Sequence, residues 1–185
     1  RRQRQMCIRD SGYRASRFKT TEKNLIVTSV LFALSKTFNP VYGYKELEAI
    51  FGDRRPESAK ELEEAVRAVR ARKLPDPKVL PNAGSFFKNP VVTRTKMLHL
   101  LEETPSLVSY PLGGARAKIA AGWLIEACGL KGKRMGQAGV YERQALILVN
   151  YGGATGAEIK ALAEEVARNV KYRFGVELEP EPVIL

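Results

Sequence analysis

The sequence predicts an α+β fold in which helices pack on a small sheet. Two segments begin with the capping-box pattern Ser/Thr-x-x-Glu, at Ser58 and Thr155, and each continues with apolar residues at helical spacing. Between them, residues 139–150 alternate into strongly apolar strands. After residue 75 the predicted order is β-α-α-β-β-α-β, which favours helices layered on a small sheet.

The first part of the chain contains one apolar run and two helices. Residues 24–36 are rich in Leu, Val and Phe, which predicts a strand or one arm of a buried hairpin. A short helix over 44–50 ends at Gly52. The helix that begins at Ser58 carries apolar residues on one face, and the Pro-x-Pro segment at 75–77 ends it and links two substructures.

The second part of the chain contains the remaining elements. A strand over 85–92 and a helix over 96–101 come first. An apolar helix over 117–128 follows, and Gly129 is placed to be its left-handed C-terminal residue. The helix that begins at Thr155 is long, and a closing strand runs over 176–185. The predicted inward residues of that long helix are Ile159, Leu162, Val166, Val170 and Phe174.

Composition excludes several classes of protein. The hydrophobic fraction is 44%, which is ordinary for a globular domain with a core. No stretch approaches 18 uninterrupted apolar residues, so no membrane span is predicted. Cys7 and Cys128 form neither a disulfide framework nor a metal-ligand spacing, and no metal site is expected. A reducing cytoplasm suits this cysteine content best.

The net charge of +11 does not by itself identify a partner. Residues 1–11 hold four Arg and one Asp, so they contribute +3 and leave +8 for the rest of the chain. That remainder is scattered through helices that also carry Glu. A nucleic-acid surface and a site for a small phosphate-bearing ligand are both compatible with it.

Residues 1–11 have no helical or alternating apolar period. We expect them to be a non-native leader joined to a gene fragment, in which case the natural protein continues upstream. A signal peptide is one alternative, although no apolar segment follows the arginines. A basic arm that binds nucleic acid is the other.

The run Asn-Ala-Gly-Ser-Phe-Phe-Lys-Asn-Pro at 82–90 is the most informative motif. Gly84 has no Cβ and allows a ligand to approach the backbone closely. Ser85 places a hydroxyl beside that approach, and two aromatics follow as a short strand with one ring on each face. Lys88 and Asn89 add a cation and an amide at the strand's end. This polar set indicates a ligand site rather than an ordinary turn.

Several motifs in the same order carry a family resemblance. They are Arg-Lys-Leu-Pro-Asp-Pro-Lys at 72–78, the run at 82–90, Ala-Ala-Gly-Trp-Leu-Ile-Glu at 120–126, and Leu-Glu-Pro-Glu at 178–181. From about Gly12 to the C-terminus the chain resembles the UDP-N-acetylenolpyruvoylglucosamine reductases. These flavoenzymes, also called UDP-N-acetylmuramate dehydrogenases, make the muramic acid precursor of bacterial peptidoglycan.

The resemblance implies a division into domains and a set of ligands. Residues 12–74 would be the C-terminal part of a truncated FAD-binding α+β domain, and 75–185 a small substrate-binding α+β domain. The cofactor would be FAD, with NADPH as hydride donor and a UDP-sugar as substrate. We expect a cytoplasmic monomer without nucleic-acid or membrane partners, and a fragment inactive by itself.

The resemblance also implies three catalytic residues. Ser85 matches the proton donor. Arg14 matches the arginine of a Tyr-Arg-Asp-Ser motif, although this chain has Ala15 where Asp is usual; its guanidinium would stabilise negative charge on the substrate. Glu181 matches the third position, where a carboxyl beside an enolate should be protonated or share a proton. Glu179 lies two residues away, and spacing alone does not decide which acid points inward.

The remaining site residues are also implied by the resemblance. Gly84 would lie against the cofactor, and the other FAD contacts would lie upstream. Lys and Tyr suit a diphosphate, while Asn and Gln can hydrogen-bond a uracil or acetamido group. The matching substrate-binding positions are Tyr44, Lys73, Asn89, Tyr110, Lys118, Lys131 and Gln144.

A non-catalytic basic α+β module that binds RNA or another polyanion is the alternative function. It predicts basic residues interleaved with exposed aromatics on one sheet face. The aromatic pair of this chain lies in the motif at 82–90 instead. Convergence of Arg14, Ser85 and Glu181 on one cleft would favour the reductase.

Overall fold

The computed structural model describes residues 11, 12 and 14–184, and they divide into two compact units with a boundary between Asn39 and Pro40. In the first unit, strands β1 (Ser11–Gly12) and β2 (Ala15–Ser16) pair antiparallel, and helix α1 (Arg17–Thr20) follows. All but the last residue of the expected leader, 1–11, lies outside the described residues.

The strand predicted over 24–36 is wrong. This segment forms no helix or strand in the described part of the chain, and its large apolar side chains are exposed, with Ile26 at 89% and Leu31 at 96%. A strand requires a neighbour to pair its backbone N–H and C=O groups, and no described residue forms a ladder with this segment. Apolar composition alone therefore does not make a strand.

The second unit begins with two helices that pack on each other, α2 (Lys45–Phe51) and α3 (Ala59–Lys73). Both predictions are confirmed, including the end of α2 at Gly52. The Ser58 hydroxyl accepts a hydrogen bond from the Glu61 N–H at 3.2 Å. The Glu61 carboxylate accepts from the Glu57 N–H instead of returning to Ser58, so only half of the predicted capping box forms.

Two small antiparallel sheets follow, instead of the single sheet predicted. The four-stranded sheet has the order β3-β9-β8-β7, and the three-stranded sheet has the order β4-β6-β5. The strands are β3 (Asn82–Ser85), β4 (Val91–Thr93), β5 (Ser109–Pro111), β6 (Arg116–Ile119), β7 (Arg134–Met135), β8 (Ala138–Val140) and β9 (Ile147–Asn150). The α+β class is confirmed.

Three helices cover these sheets: α4 (Arg94–Glu103), α5 (Ala121–Ala127) and α6 (Gly156–Phe174). Helix α6 begins with the complete capping box predicted at Thr155, whose backbone and hydroxyl hydrogen bonds lower the pKa of Glu158. Helix α6 packs on β8, β9 and α5, and α4 packs on β4 and β6. The predicted inward residues of α6 are buried, apart from the partly buried Ile159. None of the described helices has the length and hydropathy needed to span a membrane.

A predicted strand and a predicted helix each prove to contain two different segments in the structure. The strand over 85–92 is broken because the Phe86 N–H bonds to Leu146, whereas the Lys88 N–H bonds to Glu179. The backbone thus changes its hydrogen-bonding partner from the segment at Leu146 to the segment at Glu179. The rings of Phe86 and Phe87 were predicted on opposite faces, but both lie in the same core with their centroids 5.2 Å apart. The helix over 117–128 is wrong at its start, where β6 pairs with β4 and β5 before α5 begins at Ala121.

The closing strand over 176–185 is also wrong in the described residues up to 184. A single bridge joins Phe87 to Pro180, and no further ladder extends from it. Pro180 and Pro182 lack an N–H group, so neither can donate to a ladder. The bridge nevertheless fixes where this terminal segment lies, beside the motif at 82–90.

Gly139 in β8 is required by the packing of Tyr151. A Cβ at Gly139 would lie 2.6 Å from Tyr151 Cε2 and 3.3 Å from the Lys133 carbonyl oxygen. The Tyr151 ring is held by Arg134, whose Cζ lies 3.4 Å from the ring centroid. We expect Gly139→Ala to displace the ring and lower the free energy of unfolding by about 1–3 kcal/mol in urea denaturation.

Gly156→Ala provides the matched control for this substitution. Gly156 is the first residue of α6, and no atom lies within 4 Å of a Cβ placed there. Alanine at that position should leave stability unchanged or raise it by about 0.4–1 kcal/mol, since it restricts the unfolded chain. Equal stability of the Gly139→Ala and Gly156→Ala proteins would contradict the packing argument.

Candidate functional site

An irregularity within β3 positions Ser85. The Asn82 side chain accepts a hydrogen bond from the Gly84 N–H at 2.9 Å and donates one to the Leu80 carbonyl at 2.8 Å. Gly84 has φ of +73°, a conformation that a side chain would strain. Against β9, β3 has an extra residue between Asn82 and Ser85, and such a bulge redirects the side chain that follows it. The Ser85 side chain lies on the exposed surface.

Ser85 lines a cleft of about 380 Å³. One wall is the end of α3 and the Pro-x-Pro segment that follows it, and the other is formed by β3 and β9. The cleft is lined by Arg70, Leu74, Pro75, Pro77, Asn82, Gly84, Ser85 and Ile147. It is large enough for part of a small ligand, and it contains both Gly84 and Ser85 of the predicted site.

Glu181 lies on the segment that is joined to the Ser85 motif. Its N–H donates to the Phe86 carbonyl at 2.8 Å, and Phe86 directly follows Ser85. The Lys88 N–H donates to the Glu179 carbonyl at 2.9 Å on the other side of the same bridge. Glu181 thus comes opposite the residue next to Ser85, although it does not line the cleft.

The two acids of Leu-Glu-Pro-Glu differ in their surroundings. The Glu179 side chain is 71% exposed and forms an ion pair with Lys88. Glu181 is partly buried. The sequence alone left open which acid points inward, and in the structure Glu179 is the one turned to solvent. The catalytic role of Glu181 stays a prediction.

Arg14 belongs to the unit that precedes Pro40. Its backbone has φ of +55°, in the left-handed region that non-glycine residues rarely adopt. Its side chain is exposed. The convergence of Arg14 with Ser85 and Glu181 stays a prediction.

Three of the predicted substrate-binding residues lie together at the three-stranded sheet. Tyr110 and Lys118 are paired across β5 and β6, with the Lys118 ammonium 5.3 Å from the Tyr110 ring centroid. On the other side of β6, Lys118 is paired with Val91, and Asn89 precedes Val91 by two residues. The Asn89 amide oxygen accepts from the Ala121 N–H at 2.9 Å, and Asn89 thereby holds the start of α5.

The other four lie apart from that group. Tyr44 precedes α2 and is 74% exposed, and Lys73 forms an ion pair with Glu46. The Lys131 ammonium is 2.8 Å from a carboxylate oxygen of Glu126. Gln144 accepts from the Leu146 N–H at 3.4 Å. None of the seven predicted substrate-binding residues lines the cleft, and their roles stay predictions.

Sequence reasoning did not assign the two other polar residues of the cleft, Arg70 and Asn82, to the site. Arg70 in the last turn of α3 and Leu74, which directly follows the helix, both line the cleft beside the Pro-x-Pro segment. A basic residue one turn before such a segment was the available signal for Arg70. Asn82 precedes Gly84 by two residues, a spacing typical of an Asn side chain that stabilises a turn.

Residues 76–185 match the family described as UDP-N-acetylenolpyruvoylglucosamine reductase, C-terminal domain. The chain belongs to this family. The family gives no support to the alternative of a module that binds RNA. The domain boundary expected between residues 74 and 75 stays a proposal.

Curated relatives carry the same family name. The UDP-N-acetylenolpyruvoylglucosamine reductase of Paraburkholderia xenovorans is 52% identical over 179 residues, and that of Chromobacterium violaceum is 52% identical over 178. Each alignment covers 94% of this chain and 52% of the relative. The chain therefore spans about half the length of the curated relatives it matches.

A solved structure is also similar, the UDP-N-acetylenolpyruvylglucosamine reductase of Thermus caldophilus. It is 28% identical with a TM-score of 0.38, and the match covers 68% of this chain and 35% of that one.

Proposed function

We propose that this chain is a C-terminal fragment of an FAD-dependent reductase in peptidoglycan precursor synthesis. The enzyme converts UDP-N-acetylglucosamine enolpyruvate to UDP-N-acetylmuramate with NADPH, in the cytoplasm and as a monomer. Residues 12–74 belong to its flavin domain and 75–185 bind the UDP-sugar. The observation that carries the proposal is the cleft, which holds the Ser85 hydroxyl and the Gly84 backbone side by side in a chain of this family.

The residues present at the cleft fit a flavin at one point. Gly84 has no side chain, and no atom lies within 4 Å of the position a Cβ would take. A flat ring system can approach the backbone there. When bound, reduced FAD supplies a hydride from N5 to the β-carbon of the enolpyruvyl group.

Ser85 donates the proton in the proposed mechanism. Arrival of a hydride at the β-carbon leaves an electron pair on the α-carbon, delocalised into the carboxylate as an enolate. The Ser85 hydroxyl gives its proton to the α-carbon, a C–H bond forms, and solvent reprotonates the serine oxygen. A serine is a weak acid, and quenching a carbanion supplies the driving force for the transfer.

Arg14 and Glu181 stabilise the charge that develops. The Arg14 guanidinium binds the substrate carboxylate and disperses negative charge as the enolate forms. The Glu181 carboxyl shares a proton with the enolate as the enolate forms, since an ionised carboxylate there would repel it. Seven further residues hold the UDP and acetamido groups of the substrate: Tyr44, Lys73, Asn89, Tyr110, Lys118, Lys131 and Gln144.

The two half-reactions test the function. In a protein of the relatives' length that carries this sequence, NADPH should reduce bound FAD, and UDP-N-acetylglucosamine enolpyruvate should reoxidise it. The 185-residue chain should neither retain stoichiometric FAD nor oxidise NADPH, because Gly84 is the one FAD contact that we assign to it. Both are measured by flavin absorbance.

Each outcome addresses a different part of the proposal. A longer protein whose reduced flavin is not reoxidised by the enolpyruvyl substrate would refute the activity. Recovery of yellow, NADPH-oxidising 185-residue protein would refute the division into domains while leaving the activity standing.

A further inference from the structure

The cleft beside Ser85 has one charged lining residue, Arg70. Its other lining residues are apolar or neutral, and no carboxylate is among them. A bound anion would therefore meet a cation on one wall without repulsion from an acid on the other.

The Arg70 guanidinium has no acidic neighbour within four residues along the chain. The residues three and four positions from Arg70 along the chain are Val66, Arg67, Lys73 and Leu74, and none is acidic. Neighbouring cations do have partners, since Arg67 pairs with Glu63 and Lys73 pairs with Glu46. In the part of the chain that the structure describes, the Arg70 side chain forms no hydrogen bond or ion pair.

The Ser85 hydroxyl is the second available polar group in the cleft. It forms no hydrogen bond with any described residue. Asn82, the remaining polar lining side chain, is engaged by Gly84 and Leu80. The cleft thus offers two groups that can donate to an oxygen, one of them a cation with a planar fork of donors.

We propose that Arg70 is a further substrate-binding residue, which holds an anionic oxygen group of the UDP-sugar in the cleft. This inference rests on the proposed function. The group is a carboxylate or a phosphate, and the enolpyruvyl carboxylate is attached to the carbon that Ser85 protonates. Guanidinium pairs readily with either anion through two parallel hydrogen bonds.

Calorimetric titration of the 185-residue chain with UDP-N-acetylglucosamine enolpyruvate tests this assignment. Arg70→Gln should weaken binding about 10- to 100-fold, the range expected for loss of a charged hydrogen-bonding group. The affinity of Arg70→Lys should lie between those of the unaltered chain and Arg70→Gln, because lysine keeps the positive charge but lacks the planar fork of donors. Arg72→Gln is the matched control, an exposed arginine of the same helix turn outside the cleft, and should bind as the unaltered chain does.

A second titration with UDP-N-acetylglucosamine, which lacks the enolpyruvyl carboxylate, separates the two anions. If Arg70 holds the carboxylate, Arg70→Gln weakens only the first ligand; if it holds the diphosphate, both are weakened. Unchanged binding by Arg70→Gln, or equal weakening by Arg72→Gln, overturns the assignment alone. Failure of the unaltered chain to bind either nucleotide overturns the proposed function and the assignment with it.

Discussion

Ser85→Ala is expected to block the second half-reaction while leaving the first intact. In a protein of the relatives' length, NADPH should still reduce FAD at the unaltered rate, because Ser85 donates a proton only after hydride transfer to the substrate. Reoxidation of the flavin by the enolpyruvyl substrate should slow by roughly 10²- to 10⁴-fold, the usual contribution of a positioned acid. Stopped-flow absorbance of the flavin measures both rates.

Two further variants make this result specific. Ser85→Cys keeps a proton donor, the thiol S–H group, at this position. It should recover part of the lost rate of flavin reoxidation. Ser106→Ala removes a hydroxyl of an exposed serine outside the cleft and should change neither half-reaction. Equal slowing of flavin reduction and reoxidation by Ser85→Ala would indicate a structural role for Ser85.

Glu181→Gln is expected to have the second large effect, and Glu179→Gln almost none. An amide at 181 keeps the size of the side chain but cannot share or transfer a proton, so turnover should fall by about 10²- to 10³-fold. Glu179→Gln removes an ion pair in which the Glu179 side chain is 71% exposed. Such pairs contribute about 0–1 kcal/mol to stability and should not affect turnover.

Turnover of both glutamate variants is measured by steady-state kinetics in a protein of the relatives' length. Urea denaturation checks that each variant folds. Since Glu179 and Glu181 flank the same bridged residue, Pro180, any general distortion of this segment should affect both. Comparable loss in both variants would therefore point to the backbone, and an effect confined to Glu179→Gln would reverse the assignment of the two acids.

The helices were the most predictable part of the fold. Capping boxes at Ser58 and Thr155 mark helix starts through hydrogen bonds between residues three apart, so the signal is local. The apolar face of α6 then determines which side packs on the sheet. Such local causes can be read from sequence without knowledge of the partners.

The strands were less predictable because their partners are distant in sequence. Residues 116–119 alternate polar and apolar, and Ala117 and Ile119 are buried, but the adjoining apolar helix obscured this short strand. The segment at 24–36 has strand composition and no ladder in the described residues. In each case non-local pairing decided the outcome.

The candidate site could be inferred from sequence where family motifs extend over it. The motif at 82–90 indicated Gly84 and Ser85, and both line the cleft. Arg70 was missed because the cleft lies between elements that are separate in sequence, the end of α3 and β3. The different surroundings of Glu179 and Glu181 likewise depend on a distant segment, since Glu179 pairs with Lys88.

The most direct test is the structure of a protein of the relatives' length with FAD and UDP-N-acetylglucosamine enolpyruvate bound. The distance to measure runs from Ser85 Oγ to the substrate α-carbon, together with those from the Arg14 guanidinium and the Glu181 carboxyl to the enolpyruvyl group. We expect the serine oxygen about 3–3.5 Å from that carbon, on the face opposite the flavin, with the other two groups in contact with the carboxylate end. A substrate whose enolpyruvyl group lies away from Ser85, with Arg14 or Glu181 facing solvent, would contradict the mechanism.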